Sequence, residues 1–172
     1  MKKSVYLLAI AATSLITMTA CGQDKSKRPS PPAKATVTTT TGTNITIDYS
    51  QPSAKGRTVG KEIAAFGEVW RTGANEATTF EVSKDVTIDG KKLAAGKYGF
   101  YTIPGEKEWI IIFNKKTDLW GSNGYKETED ALRTLSTPAQ SATFTEKMTF
   151  SIAPSGGVSL MWGDVKVDFK VD

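Results

Sequence analysis

Between Val69 and Glu76 the chain reads VWRTGANE, which places an indole, a guanidinium, an amide and a carboxylate around one glycine. Such a set could recognise a polar ligand. Arg71 offers a planar fork of donors suited to a carboxylate, phosphate or sulfate group. Asn75 offers a donor and an acceptor on one amide. The structural alternatives are equally concrete. Trp70 can be a core anchor, Asn75 a residue that tolerates a left-handed turn, and Arg71 with Glu76 a charge pair that pins the loop. Gly73 is expected to supply the unusual backbone angle that folds the segment back, bringing Arg71 and Glu76 together over Trp70.

A second cluster runs from Asn114 to Tyr125 as NKKTDLWGSNGY. Aromatic faces at Trp120 and Tyr125 beside amides and a carboxylate suit a sugar, which presents an apolar ring face and a rim of hydroxyls. The alternative folds Trp120 back onto the body. If the two clusters meet, Asn75 faces a groove shared with Trp120. The binding candidates are therefore Trp70, Arg71, Asn75, Glu76, Asn114 and Trp120.

Catalysis is less well supported. Glycoside hydrolysis needs two carboxyl groups about 5 to 9.5 Å apart. Glu68, Glu76, Glu106 and Asp118 are available, but their spacing singles out no pair. The chain has 172 residues, no His and one Cys. That removes Ser-His-Asp and Cys-His machinery, His-ligated metals, intrachain disulfides and thiolate clusters. There is no EF-hand loop, phosphate-binding loop or dinucleotide glycine pattern. No catalytic residue, metal or cofactor is assigned.

Short strands must position these loops. Ile45, Ile47 and Tyr49 alternate with polar residues, as do Phe80 and Val82. Val86 and Ile88 lead into Asp89-Gly90, a two-residue hairpin signal. Lys97 to Ile103 follows a turn at Ala94-Ala95-Gly96. Trp109-Ile110-Ile111-Ile112-Phe113 is apolar without alternation, which predicts a central strand covered on both faces. Phe144, Met148, Phe150 and Ile152 share one side of the next strand. In the last strand the apolar residues are even-numbered through Trp162 and odd-numbered from Val165, so a β-bulge at Gly163-Asp164 is expected to restore the buried face. Lys61 to Phe66 reads as one or two helical turns. Glu127 to Leu135 is open between helix and strand. The pattern is all-β, an antiparallel sandwich of jelly-roll type or a small barrel, with one or two short helical turns.

The N-terminus reads as an address. Met1-Lys2-Lys3, an apolar stretch from Val5 to Ile16 and Met18-Thr19-Ala20-Cys21 resemble a lipoprotein signal over residues 1–20, with Cys21 acylated. Residues 21–34 are polar and Pro-rich, the composition of a disordered tether. Residues 35–172 form the single folded domain. The formal charge of +4 comes from 22 Lys and Arg against 18 Asp and Glu. Six of the basic residues but only one acidic residue, Asp24, precede Ala35, so the domain itself is close to neutral. A near-neutral domain lacks the basic face that nucleic-acid binding needs.

The runs VWRTGANEATT, KDVTIDGKKLAAGKY, TIPGEKEW and FNK, with LWG further on, resemble the bacterial domain of unknown function 2911 from about Ser50 to the C-terminus. The resemblance implies an exported, often lipoprotein-like protein and no particular activity. The tether and the Thr-rich opening lie outside it. The expected protein sits in the bacterial cell envelope, at the outer membrane, on its periplasmic face or at the cell surface. It is held to the membrane by its N-terminal lipid and binds a saccharide or polar small molecule. A structural lipoprotein that docks an envelope partner by a strand edge and a carboxylate-dependent hydrolase are the alternatives.

Overall fold

The computed structural model describes residues 24–172, so the expected signal and Cys21 lie outside the described residues. Ten strands follow one another: β1 (Pro32–Thr38), β2 (Asn44–Ser50), β3 (Thr78–Val82), β4 (Val86–Ile88), β5 (Lys91–Leu93), β6 (Gly96–Ile103), β7 (Trp109–Asn114), β8 (Asp130–Ser136), β9 (Ala139–Ile152) and β10 (Gly157–Lys170). A six-stranded antiparallel sheet has the order β1-β2-β3-β6-β7-β8. The long hairpin β9-β10 packs across it, and the small hairpin β4-β5 is hydrogen-bonded to the end of β10 through Asp89 and Thr87. The architecture is all-β and sandwich-like, not a closed barrel.

The apolar pattern explains the layers. Ile45, Ile47, Phe80, Phe100 and Phe113 leave one face of the large sheet and meet Met148, Phe150, Leu160 and Phe169 of the hairpin. Phe169 lies 5.7 Å from Phe100 and 5.9 Å from Phe113, ring centroid to centroid. Each such side chain, fully buried, contributes roughly 1.5–3 kcal/mol. The unbroken apolar run of β7 is buried on both sides, as its lack of alternation predicts. Trp109, Ile111 and Phe113 face the hairpin, while Ile112 joins Tyr101 and Ala77 on the other face, under the loops. The bulge also falls as expected: the β9-β10 register shifts on both sides of Gly163, whose φ is 62°.

Three expectations fail locally, and one alternative left open is resolved. Lys61–Phe66 forms turns and a bridge from Ile63 to Val59, not a helix. Of the two readings left open for Glu127–Leu135, the strand holds for Ala131–Leu135, after one 3₁₀ turn at Glu127–Glu129. Phe144 does not join Met148 and Phe150 inside but is 62% exposed, because the register shift turns the first half of β9 away from the core. The tether is shorter than the Pro-rich composition suggests. Lys25–Lys27 is a 3₁₀ turn capped by Asp24, and β1 already begins at Pro32, paired to Ser50.

Candidate functional site

The loop after Val69 is built from Trp70 outward. Trp70 and Thr102 exchange backbone hydrogen bonds of 2.8 and 2.9 Å, which seats the loop beside β6. The indole stacks on Trp162 at 5.4 Å and meets the edge of Trp109 at 6.3 Å, while its Nε1 donates to Gly73 O. Trp70 is thus an anchor of the core.

The backbone angles come from unexpected residues. Gly73 is not in the left-handed region. A Cβ there would stand 2.8 Å from Thr78 Oγ1 and 3.1 Å from Ser50 O, so Gly73 is required by close approach. The left-handed angles belong to Thr72 (φ 51°) and Asn75 (φ 57°). A β-branched residue in that region costs about 1–2 kcal/mol. Thr72 is held there by hydrogen bonds from its Oγ1 to Thr102 Oγ1 and from Thr78 Oγ1 to its carbonyl.

Arg71 and Glu76 do not pair. Glu76 accepts from Arg28 Nη1 on both oxygens, at 3.0 and 2.9 Å, and from Lys25 Nζ at 3.0 Å. Asn75 Nδ2 donates to Ser30 O. The N-terminal segment, not the neighbouring arginine, therefore pins this side of the loop. Burial pushes the Glu76 carboxyl upward, but its own backbone amide, Arg28 and Lys25 outweigh that and bring it down to about 2.

Arg71 instead passes beneath the second loop. A Cβ on Gly121, whose φ is 69°, would lie 3.3 Å from Arg71 Nη1. Among the described residues Arg71 makes no ion pair, and its buried Nε has no partner. Burial lowers its pKa. The Tyr101 hydroxyl, also buried without a partner, belongs to the same sheet face. Burial first, and then the Asp118 charge, push it up to about 12.

The two loops meet. Glu76 and Trp120 form an antiparallel bridge, with Ala77 N donating to Leu119 O and Gly121 N to Asn75 O, both at 3.0 Å. Trp120 is 59% exposed, so it stays in solvent. Beside Glu76 opens a shallow hollow of about 240 Å³, lined by Lys25, Asp48, Thr79 and Thr117 among others. Asn114 is not in this group. It is fully buried, donates to Lys126 O and Asp130 Oδ1, accepts from Lys116 N, and so staples the ends of the second loop. Asp130 is further bound by Tyr125 and Arg133, which brace the same loop.

Of the candidate residues, Arg71, Asn75, Glu76 and Trp120 stand on the two paired loops, Trp70 packs in the core as its structural alternative has it, and Asn114 ties the ends of the second loop. Tyr101, hidden in a strand, and Lys25 and Arg28 were not among the candidates. Their signal was a basic cluster in a segment without apolar periodicity, which reads as linker.

A family model described as a protein of unknown function, DUF2911, matches residues 30–171. The match begins about twenty residues before the resemblance read from the motifs, and it takes in β1 and the Thr-rich opening. No curated protein and no solved structure matches the chain.

Proposed function

The chain belongs to the DUF2911 family, and from its geometry we propose that it is a lipid-anchored envelope protein whose paired loops bind a polar small molecule or saccharide bearing an anionic group. The observation that carries this reading is the guanidinium of Arg71. It is half-buried beneath Gly121, without an ion pair among the described residues, and Gly121 directly follows the exposed Trp120. An unpaired buried donor is costly, about 1–3 kcal/mol, and a scaffold role would give it a partner. An anionic ligand would supply one, and Trp120 would cover a ring face. The lipid anchor rests on Cys21, the one cysteine, which follows a small-residue cut site.

A chain carrying Cys21→Ser should appear unprocessed or detached from membranes. Its Trp fluorescence should change on titration with glucuronate and less with methyl glucoside, and Arg71→Met or Trp120→Ala should abolish the response. Identical, unsaturable responses to both sugars would refute the site.

The strand-edge alternative has one observation in its favour. β9 pairs only with β10 over its first half, and Phe144 is exposed there. The hydrolase reading has none: Glu68, Glu106 and Asp118 are exposed, and Glu76 is held ionised by two cations.

A further inference from the structure

The anchored end of the chain and the paired loops occupy one face. Lys25 and Arg28 grip Glu76, Ser30 O accepts from Asn75, and Glu76 is bridged to Trp120. If Cys21 carries the lipid, as proposed above, Lys25 stands only four positions beyond the acylated residue. Four fully extended steps span at most about 14 Å. The headgroup layer on each side of a bilayer is itself roughly 5–8 Å deep. So short a leash leaves the domain no room to stand clear of the membrane or to present another face to it. Arg28 and Lys25 also hold the last part of the leash against the domain rather than letting it swing.

The chemistry of the face matches. Lys25 and Lys27 are exposed at its edge, and Lys115, Lys116 and Lys126 are exposed on the Trp120 loop. Asp24, Asp48, Glu76, Asp118 and Glu127 lie among them, and Glu76 and Asp48 pair with Lys25, Arg28 and Lys34, so the local excess of positive charge is small. Trp120, exposed and bridged to Glu76, is the residue type that settles at the interface between headgroups and acyl chains. Nothing in the body of the domain requires its indole to stand in solvent.

We propose that the Glu76–Trp120 face is a membrane-docking surface. The lipid-anchored domain lies with this face on the headgroup layer, with Trp120 at the interface and the lysines around it among anionic headgroup phosphates. The ligand reaching Arg71 is then one that the membrane presents. This deepens the proposed function and rests on acylation of Cys21.

The test uses the mature, acylated chain in vesicles of phosphatidylethanolamine and phosphatidylglycerol whose acyl chains carry bromine, which quenches indoles on contact. The intact mass of the same sample establishes acylation. Of the other three tryptophans, Trp109 and Trp162 are buried in the core and Trp70 is partly buried, stacked on Trp162. The wild-type protein should be strongly quenched and Trp120→Phe only weakly, through the partly buried Trp70, and replacing phosphatidylglycerol by phosphatidylcholine should weaken the wild-type quenching. Because Trp120 is exposed, the Phe variant keeps the fold, which its circular dichroism will verify. Acylated protein quenched to the same extent with and without Trp120 overturns the docking orientation while leaving the anchor intact. A mass without acyl chains overturns both.

Discussion

Replacing Arg71 by Met separates a binding residue from a scaffold residue. The side chain is half-buried and its Nε has no partner among the described residues. Leaving a donor buried and unsatisfied costs about 1–3 kcal/mol. Met removes that cost and keeps an unbranched apolar chain to fill the space beneath Gly121, where the guanidinium now comes closest. The terminal nitrogens retain some water, so the recoverable part is at the low end. Arg71→Met should therefore stabilise the protein by about 1 kcal/mol, which raises Tm by about 2–4 °C for a domain of this size. Glu76→Gln gives the contrast. It removes the charge that Arg28 and Lys25 share, and it should destabilise by about 1 kcal/mol, since the carboxylate is 40% exposed and solvent screens the pairs. Urea unfolding of both variants, with m-values compared to exclude changes in the unfolded state, reads the two signs. A loss of more than about 1 kcal/mol in Arg71→Met would refute the reasoning, because it would mean the guanidinium has an essential partner in the fold.

Acid should weaken the fold through Glu76. Its carboxyl sits at about 2 in the folded chain against 4.5 in the free residue, so its contribution is present above pH 4.5 and disappears as pH falls through 2. The stability-against-pH curve of Glu76→Gln should be flatter there, by about 1 kcal/mol given the exposure. At the alkaline end Tyr101, raised to about 12, keeps its contribution below pH 10 and loses it as pH rises through 12. Tyr101→Phe should unfold later in an alkaline titration followed by circular dichroism. Gly163→Ala should cost about 1–2 kcal/mol in urea unfolding from its left-handed backbone alone. Its new Cβ would meet Val59 and Phe144 at ordinary contact distances of 3.7 and 3.8 Å, so no steric clash adds to that cost.

Much of the fold was legible because local signals and tertiary demands agreed. Asp89-Gly90 specifies a turn with two left-handed residues, and both have positive φ. The β7 run is apolar on every residue because both faces are covered, and the parity switch around Gly163 marks a real register shift. The N-terminal segment was not legible, because its order comes from an ion pair spanning 48 residues and from β1 pairing with β2, neither of which leaves an apolar period. The same distance hid the partner of Glu76. Charge spacing of five residues suggested Arg71, but the backbone sends the two side chains to different neighbours. Gly73 was recognised as special for the wrong reason, since glycine serves close approach as well as unusual angles and the sequence does not distinguish the two. Phe144 shows the limit of alternation: parity continued through a strand whose partner had shifted.

The paired loops, rather than the larger groove of about 410 Å³ between Trp109 and Val165, are the proposed ligand site. Chemical-shift mapping of the isotope-labelled Cys21→Ser chain, titrated with glucuronate and separately with inorganic phosphate, tests this most directly. Saturable shifts are expected at the Trp120 indole, the Arg71 side chain and the Gly121 amide, with Trp109 and Val165 unmoved. Shifts gathered around Trp109 and Val165, or none that saturate, would contradict that assignment.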